Sequence, residues 1–161
     1  MAANQERNFC AEAAALLAAA QAGSLATVSG GIPHAALVTP ALDASGGVVL
    51  LFSELSAHTR HLRANPACAL LVTGSARDEN PQTAARILLT GEAVQCDAPQ
   101  ARAAFLQKHP YAKLYCDFGD FHFWRLVVKD AHYVGGFAAA ARLDIAALQH
   151  EINLLLAKSS G

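Results

Sequence analysis

Leu51-Phe52-Ser53-Glu54-Leu55-Ser56-Ala57-His58-Thr59-Arg60-His61-Leu62-Arg63-Ala64-Asn65-Pro66 changes its period part-way along. The apolar run Val48 to Ser53 reads as a buried strand. Ser56 then opens a short helix, Ala57 to Ala64, and Asn65-Pro66 stops it, because a residue before proline avoids the helical region. The first N–H groups of such a helix have no partners inside it. Here Ser56, His58, Thr59 and Arg60 surround them with hydroxyls and cationic groups, an arrangement suited to a phosphate. The same residues also read as plain capping by Ser56, with His58, Arg60 and Arg63 solvated. His58 and His61 are three apart and share a helical face, but no HExxH or Asp/Glu partner motif lies nearby, so no metal site is expected.

Working outward, Glu6 to Ala22 reads as an alanine-rich helix ended by Gly23. Ser24 to Val28 and His34 to Leu42 read as strands around a Ser29-Gly30-Gly31 turn, and residues 43–47 as a hairpin loop. Downstream come strands over Cys68 to Thr73 and Ala85 to Gln95, the latter bent at Gly91. A helix capped by Asp97 reaches Lys108 and ends at His109-Pro110. Phe121 to Val128 and Ala131 to Val134 read as strands joined by a tight Lys129-Asp130 turn, broken at Gly135-Gly136. Asp144 caps a last helix over residues 145–158, where Ile145, Leu148, Ile152 and Leu155 form one stripe, and residues 158–161 are a frayed tail. Short connections favour antiparallel neighbours. The expected fold is therefore mainly β: an antiparallel barrel of six to seven strands with flanking helices, as one domain over residues 1–161 with its core at about 11–142.

Composition narrows the function. With 12 Lys plus Arg against 13 Asp plus Glu, no overall positive field exists to hold nucleic acid or an anionic membrane. No stretch reaches the ~20 apolar residues of a membrane span, and acidic residues stand where a signal peptide needs basic ones, so a cytoplasmic location is expected. Cys10, Cys68, Cys96 and Cys116 form no CxxC pair and read as free thiols. There is no G-x-S-x-G, G-x-G-x-x-G or Walker loop. One stretch stands out: Tyr111, Tyr115, Phe118, Phe121, Phe123 and Trp124 crowd together in a chain that is 7% aromatic, which marks a core seam, a subunit interface or a flat-ligand pocket.

Several pieces in order carry a resemblance. They are Gly23-Ser24-Leu25-Ala26-Thr27, residues 31–36 (Gly-Ile-Pro-His-Ala-Ala), residues 42–47, the block Ser53 to Pro66, and Arg86 to Ala93. From about Ala11 to Arg142 the chain resembles the pyridoxamine 5'-phosphate oxidase-related FMN-binding split β-barrels. His109-Pro110-x-Ala112, Asp117-Phe118-x-Asp120-Phe121 and Gly135-Gly136-Phe137 look like the HugZ-like, haem-utilisation branch.

That resemblance implies a homodimer with FMN in a cleft between subunits. Ala36, Leu37 and Val38 would contact the isoalloxazine through their backbone. Ser53 and Ser56 would flank the phosphate, His58 and Thr59 would contact it, and Arg60 would supply charge nearby. Arg86 would approach from the same or the partner subunit. The implied activity is a flavin-dependent oxidoreductase of a small molecule, with haem the substrate to test first; the alternative is a non-catalytic FMN or haem carrier dimer. No catalytic residue is assigned. His34, His122 and Tyr115 are acid–base candidates and His132 a candidate haem ligand, each of which also reads as structural. The chain departs from the family at Ala36, where serine is common, at His61, where asparagine is common, and at His58 and Thr59, where many members carry Arg or Lys. It has no C-terminal Arg-x-His motif, so pyridoxamine phosphate oxidation is not expected, and the further C-terminal domain of longer HugZ-like proteins is expected to be lacking.

Overall fold

The computed structural model describes residues 7–159; the expected helix start at Glu6 and the tail residues Ser160 and Gly161 lie outside them. Among the described residues the order is α1 (Phe9–Ala19), β1 (Gly23–Ser29), β2 (Ile32–Val38), β3 (Ala41–Leu42), β4 (Val48–Ser53), α2 (Ala57–Ala64), β5 (Ala67–Thr73), β6 (Arg86–Gln95), α3 (Pro99–Lys108), β7 (Phe121–Val134), β8 (Ala140–Arg142) and α4 (Ile145–Ser159). One sheet runs β2-β1-β5-β6-β7-β4-β3, with β8 on β7, and every pairing is antiparallel. The expected class holds, with eight strands rather than six to seven.

Alternation along β1 sets the two faces of the sheet. Leu25 and Thr27 are buried, while Ser24, Ala26 and Val28 point out. The register carries this sideways. His34 lies opposite Thr27 and Ala36 opposite Leu25, so both belong to the inner face. On the outer face one row runs Leu37, Ser24, Leu71, Leu88 and His132 across five strands. Leu37, Leu71 and Leu88 remain 79%, 37% and 38% exposed. Inside, Leu25, Leu50, Phe52, Leu62, Leu70, Ile87 and Trp124 share one core, each contributing roughly 1.5–3 kcal/mol on burial. Helices α1 and α4 pack together against it, and α2 lies over β1 and β2. Helix α3 seals a second core of Val49, Ala101, Phe105 and Phe123 on the other side of β4 and β7. His109 is buried there, its Nε2 2.9 Å from the Pro40 carbonyl oxygen.

Several expectations are corrected. Helix α1 ends at Ala19, and Gly23 opens β1 instead of ending the helix. The second strand breaks at Thr39-Pro40, which separates β2 from β3. Asp97 does not cap α3; its carboxylate accepts from the Phe123 N–H at 2.8 Å and from Gln95 Nε2 at 2.7 Å. Lys129-Asp130 is no turn. β7 runs unbroken through it, and the pairing shifts between Thr90 and Gly91, leaving Lys129 as the extra residue of a bulge. A Cβ at Gly91 would sit 2.0 Å from the Val127 carbonyl oxygen, so only glycine fits this close approach. Lys158 and Ser159 continue α4. No described helix is long and apolar enough to cross a membrane.

Candidate functional site

The β4–α2 junction is tied to the start of β7. Ser53 lies opposite Phe121, and its hydroxyl donates to Asp120 Oδ2 at 2.7 Å while accepting from the Leu55 N–H at 3.1 Å. The Glu54 N–H donates to the Asp120 carbonyl oxygen at 2.7 Å. The Ser53 carbonyl accepts from the Ser56 N–H at 3.1 Å and from the Thr59 hydroxyl at 2.8 Å. Thr59 is buried, so this bond satisfies its only side-chain donor. Ser56 is the N-cap of α2 but makes no side-chain bond to the helix. Arg60 is exposed and donates through Nη1 to the Leu55 carbonyl at 2.7 Å.

Two histidines, His34 and His61, meet where α2 packs on β1 and β2, and His58 lies on the β4 side of the helix. The His58 ring meets Phe52 edge-on, with centroids 4.6 Å apart. Burial, and then the neighbouring His61, hold His58 below the ordinary histidine value, so it is neutral at pH 7. His61 Nδ1 lies 3.0 Å from the hydroxyl of buried Thr27, and its ring meets His34 at 4.4 Å. Desolvation, then His34 and Arg60, push His61 below its ordinary value as well.

The structure therefore brings Ser53, Ser56, His58, Thr59 and Arg60 together at the start of α2. Ala36 is half-buried and Val38 buried on the β2 face that also carries His34; Leu37 faces the other way. Arg86 is not part of this group within one chain. Ser53 pairs with Phe121 and Arg86 with Val134, the two ends of a 14-residue strand. Its guanidinium donates to the Gln82 and Ala84 carbonyls at 3.1 and 3.3 Å. His122 sits between the carboxylates of Glu54, 3.3 Å away, and Asp97, 3.2 Å away. Tyr115 packs on Phe121 with centroids 5.0 Å apart. His132 is exposed on β7, opposite Leu88 and Arg142. Two site residues carried no assignment from sequence. Thr27 is legible as an inward position of β1 within the Gly23-to-Thr27 piece, and Asp120 as part of the Asp117-to-Phe121 motif. A groove of about 610 Å³ lies elsewhere, among Leu17, Leu42, Ala103, Lys108 and Leu156. Its charged groups are committed to the fold: Lys108 donates to the Ala18 carbonyl and Asp43 accepts from Ser45 and Gly47.

Residues 4–148 match the family described as CREG, beta-barrel. The chain belongs to the CREG β-barrel family. Among curated proteins, this CREG β-barrel chain is 44% identical over 113 residues to the non-canonical heme oxygenase HOZ, chloroplastic, of Arabidopsis thaliana. The match covers 68% of the chain and 34% of HOZ, so the chain spans about a third of that relative. Among solved structures it resembles a heme binding protein from Mycobacterium smegmatis, with a TM-score of 0.81 and 32% identity, over 89% of this chain and 61% of that one. A putative pyridoxamine 5'-phosphate oxidase from Listeria innocua shares the fold alone, at a TM-score of 0.60 and 19% identity over 80% of this chain and all of the other. The CREG β-barrel is thus of the split-barrel type that the sequence resembles.

Proposed function

We propose that this chain binds haem, as a split-barrel domain paired with a second copy of itself. The observation that carries the proposal is the state of the hydroxyls at α2. Ser53 and Thr59 both give their protons to protein acceptors, and the Asp120 carboxylate stands 2.7 Å behind Ser53. A phosphate there would meet engaged donors and a negative charge, whereas the apolar part of a macrocycle needs no free donor. Likeness to HOZ and to the mycobacterial heme binding protein supports the same ligand. Pairing rests on the outer face, where Leu37, Leu71 and Leu88 remain open among Ala26, Ala35 and Ala69. Titration of purified protein with ferric haem tests the proposal: a saturable Soret band supports it, and haem absorbance unchanged from buffer refutes it. Adding a reductant in air then separates breakdown, in which the band is lost, from carriage, in which it persists.

The second reading is an FMN-dependent oxidoreductase of a haem-related small molecule. It draws on Ser56, whose hydroxyl makes no bond to α2 and leaves the first N–H groups of the helix open to an anion. There Ser56, His58 and those N–H groups would hold the phosphate, with Arg60 adding charge. The backbone of Ala36, Leu37 and Val38 would border the isoalloxazine, and Arg86 would reach it only from the partner copy. FMN, when bound, would supply hydride and electron transfer. Fluorescence titration with FMN, in wild type and in His58→Ala, tests this reading: saturable binding that a folded His58→Ala protein weakens supports it, and no binding by wild type refutes it.

A further inference from the structure

We propose that His61 is the side chain that would hold the iron of a bound haem, with His34 the positioning residue packed beside it. This rests on the haem reading and adds the residues that would hold the metal. Thr27 Oγ1 lies 3.0 Å from Nδ1 of His61, which orients the ring; in the tautomer where Nδ1–H donates to Thr27, the Nε2 lone pair is left for an outside partner. A metal-binding imidazole is generally held in this way, through its other nitrogen. Thr27 is 2% exposed and sits on the inner face of β1, so the anchor is fixed by the barrel itself. The His34 ring, 4.4 Å away, limits where the His61 ring can turn.

The kind of metal follows from the number of ligands. Among the described residues no three His, Cys, Asp or Glu side chains gather to hold an ion, and a free zinc ion asks for three or four. Porphyrin iron brings four nitrogens of its own and needs one or two more. Apolar surface for the macrocycle lies on the same strand: Ile32, 62% exposed, shares the face of His34. Arg60, whose charge is felt at His61, offers a cation for a propionate.

Ferric haem is titrated into wild type and into His61→Ala, His34→Ala, Thr27→Val and His132→Ala, reading the Soret band and the spin state. The expected result is an imidazole-ligated spectrum in wild type and about tenfold or weaker binding in His61→Ala. Free imidazole restores the wild-type spectrum of the haem that co-elutes with His61→Ala on gel filtration, which a misfolded variant would not retain. Thr27→Val and His34→Ala keep the ligand with a shifted spectrum, and His132→Ala matches wild type. Wild-type spectrum and affinity in His61→Ala overturn the ligand assignment while leaving haem binding intact, as does loss of the ligand signature in His132→Ala alone. A wild type that binds no haem overturns both the assignment and the haem reading beneath it.

Discussion

Replacing Asp120 by asparagine tests how the α2 junction treats an anion. The carboxylate accepts the Ser53 hydroxyl at 2.7 Å. A phosphate oxygen bonded near Ser53 would therefore stand roughly 5 Å from a full negative charge. Coulomb's law puts that repulsion between ~1 kcal/mol in a water-like medium and ~3 kcal/mol at an effective dielectric of about 20, for each phosphate charge. Asp120 is half-buried, so screening places the effect in the lower part, about 1–2 kcal/mol. The substituted amide still offers Ser53 an acceptor, so the junction keeps its bond and loses only the charge. The expected outcome is FMN affinity about five- to thirtyfold tighter in Asp120→Asn. Riboflavin, which has no phosphate, should bind both proteins equally, and the FMN gain should shrink in high salt. Quenching of flavin fluorescence reads all three. Unchanged or weaker FMN binding by a folded Asp120→Asn protein would refute the claim that Asp120 opposes a phosphate at Ser53.

Leu71→Glu and Leu88→Glu place charges on the outer sheet face without touching the core. Sedimentation velocity should show dimer becoming folded monomer; two variants that still sediment as dimers would exclude this face as the interface. For Asp43, burial works to raise the pKa, but bonds from Ser45 and the Gly47 N–H together with Arg125 hold it below the ordinary value. Stability from such a group is complete above the unfolded-state pKa of about 3.9 and is lost as pH falls through the lower folded value. Asp43→Asn should therefore melt lower at pH 7 and lose less stability than wild type below pH 4; a Tm–pH slope equal to that of wild type would count against it. Gly91→Ala drives a Cβ into the Val127 carbonyl. It should cost ~1–3 kcal/mol, a fall in Tm of several degrees, and a melt within about 1 °C of wild type would show that the bulge can relax.

Much of the fold is legible because its signals are local. Asn65-Pro66 and the period change at Ser53 fix α2 at Ala57–Ala64, as expected. Gly30 and Gly31 adopt positive φ in the expected hairpin turn. What escaped depends on partners distant in sequence. Lys129 and Asp130 have the polarity of a turn, yet Lys129 pairs with Glu92 at 2.6 Å and Asp130 with Arg142 at 2.5 Å, so both are satisfied within a continuous strand. β8 went unread because the three residues Ala140–Arg142 carry too little alternation to show a period. Asp97 followed by Pro99 looks like a cap, but the Phe123 N–H and Gln95 Nε2 claim its carboxylate.

The candidate site divides along the same line. Spacing alone places Ser56, His58, Thr59 and Arg60 on one helical turn, and the structure keeps them there. What spacing could not give is how each side chain is occupied, which is the ground on which the two proposed ligands differ. A phosphate asks for free donors and positive charge. At this junction Thr59 is buried and engaged, Ser53 is held by Asp120, and Glu54 pairs with Arg63. His58, by burial and then His61, is pushed below the ordinary histidine pKa. A metal-bearing ring asks for a neutral imidazole whose second nitrogen is fixed by the protein. Thr27, His34 and His61 supply that arrangement from β1, β2 and α2, elements whose meeting only the folded barrel determines. On the haem reading proposed above, this helix start would support the histidine one turn further along, while Ser56 and the first N–H groups of α2 stay open to an anion.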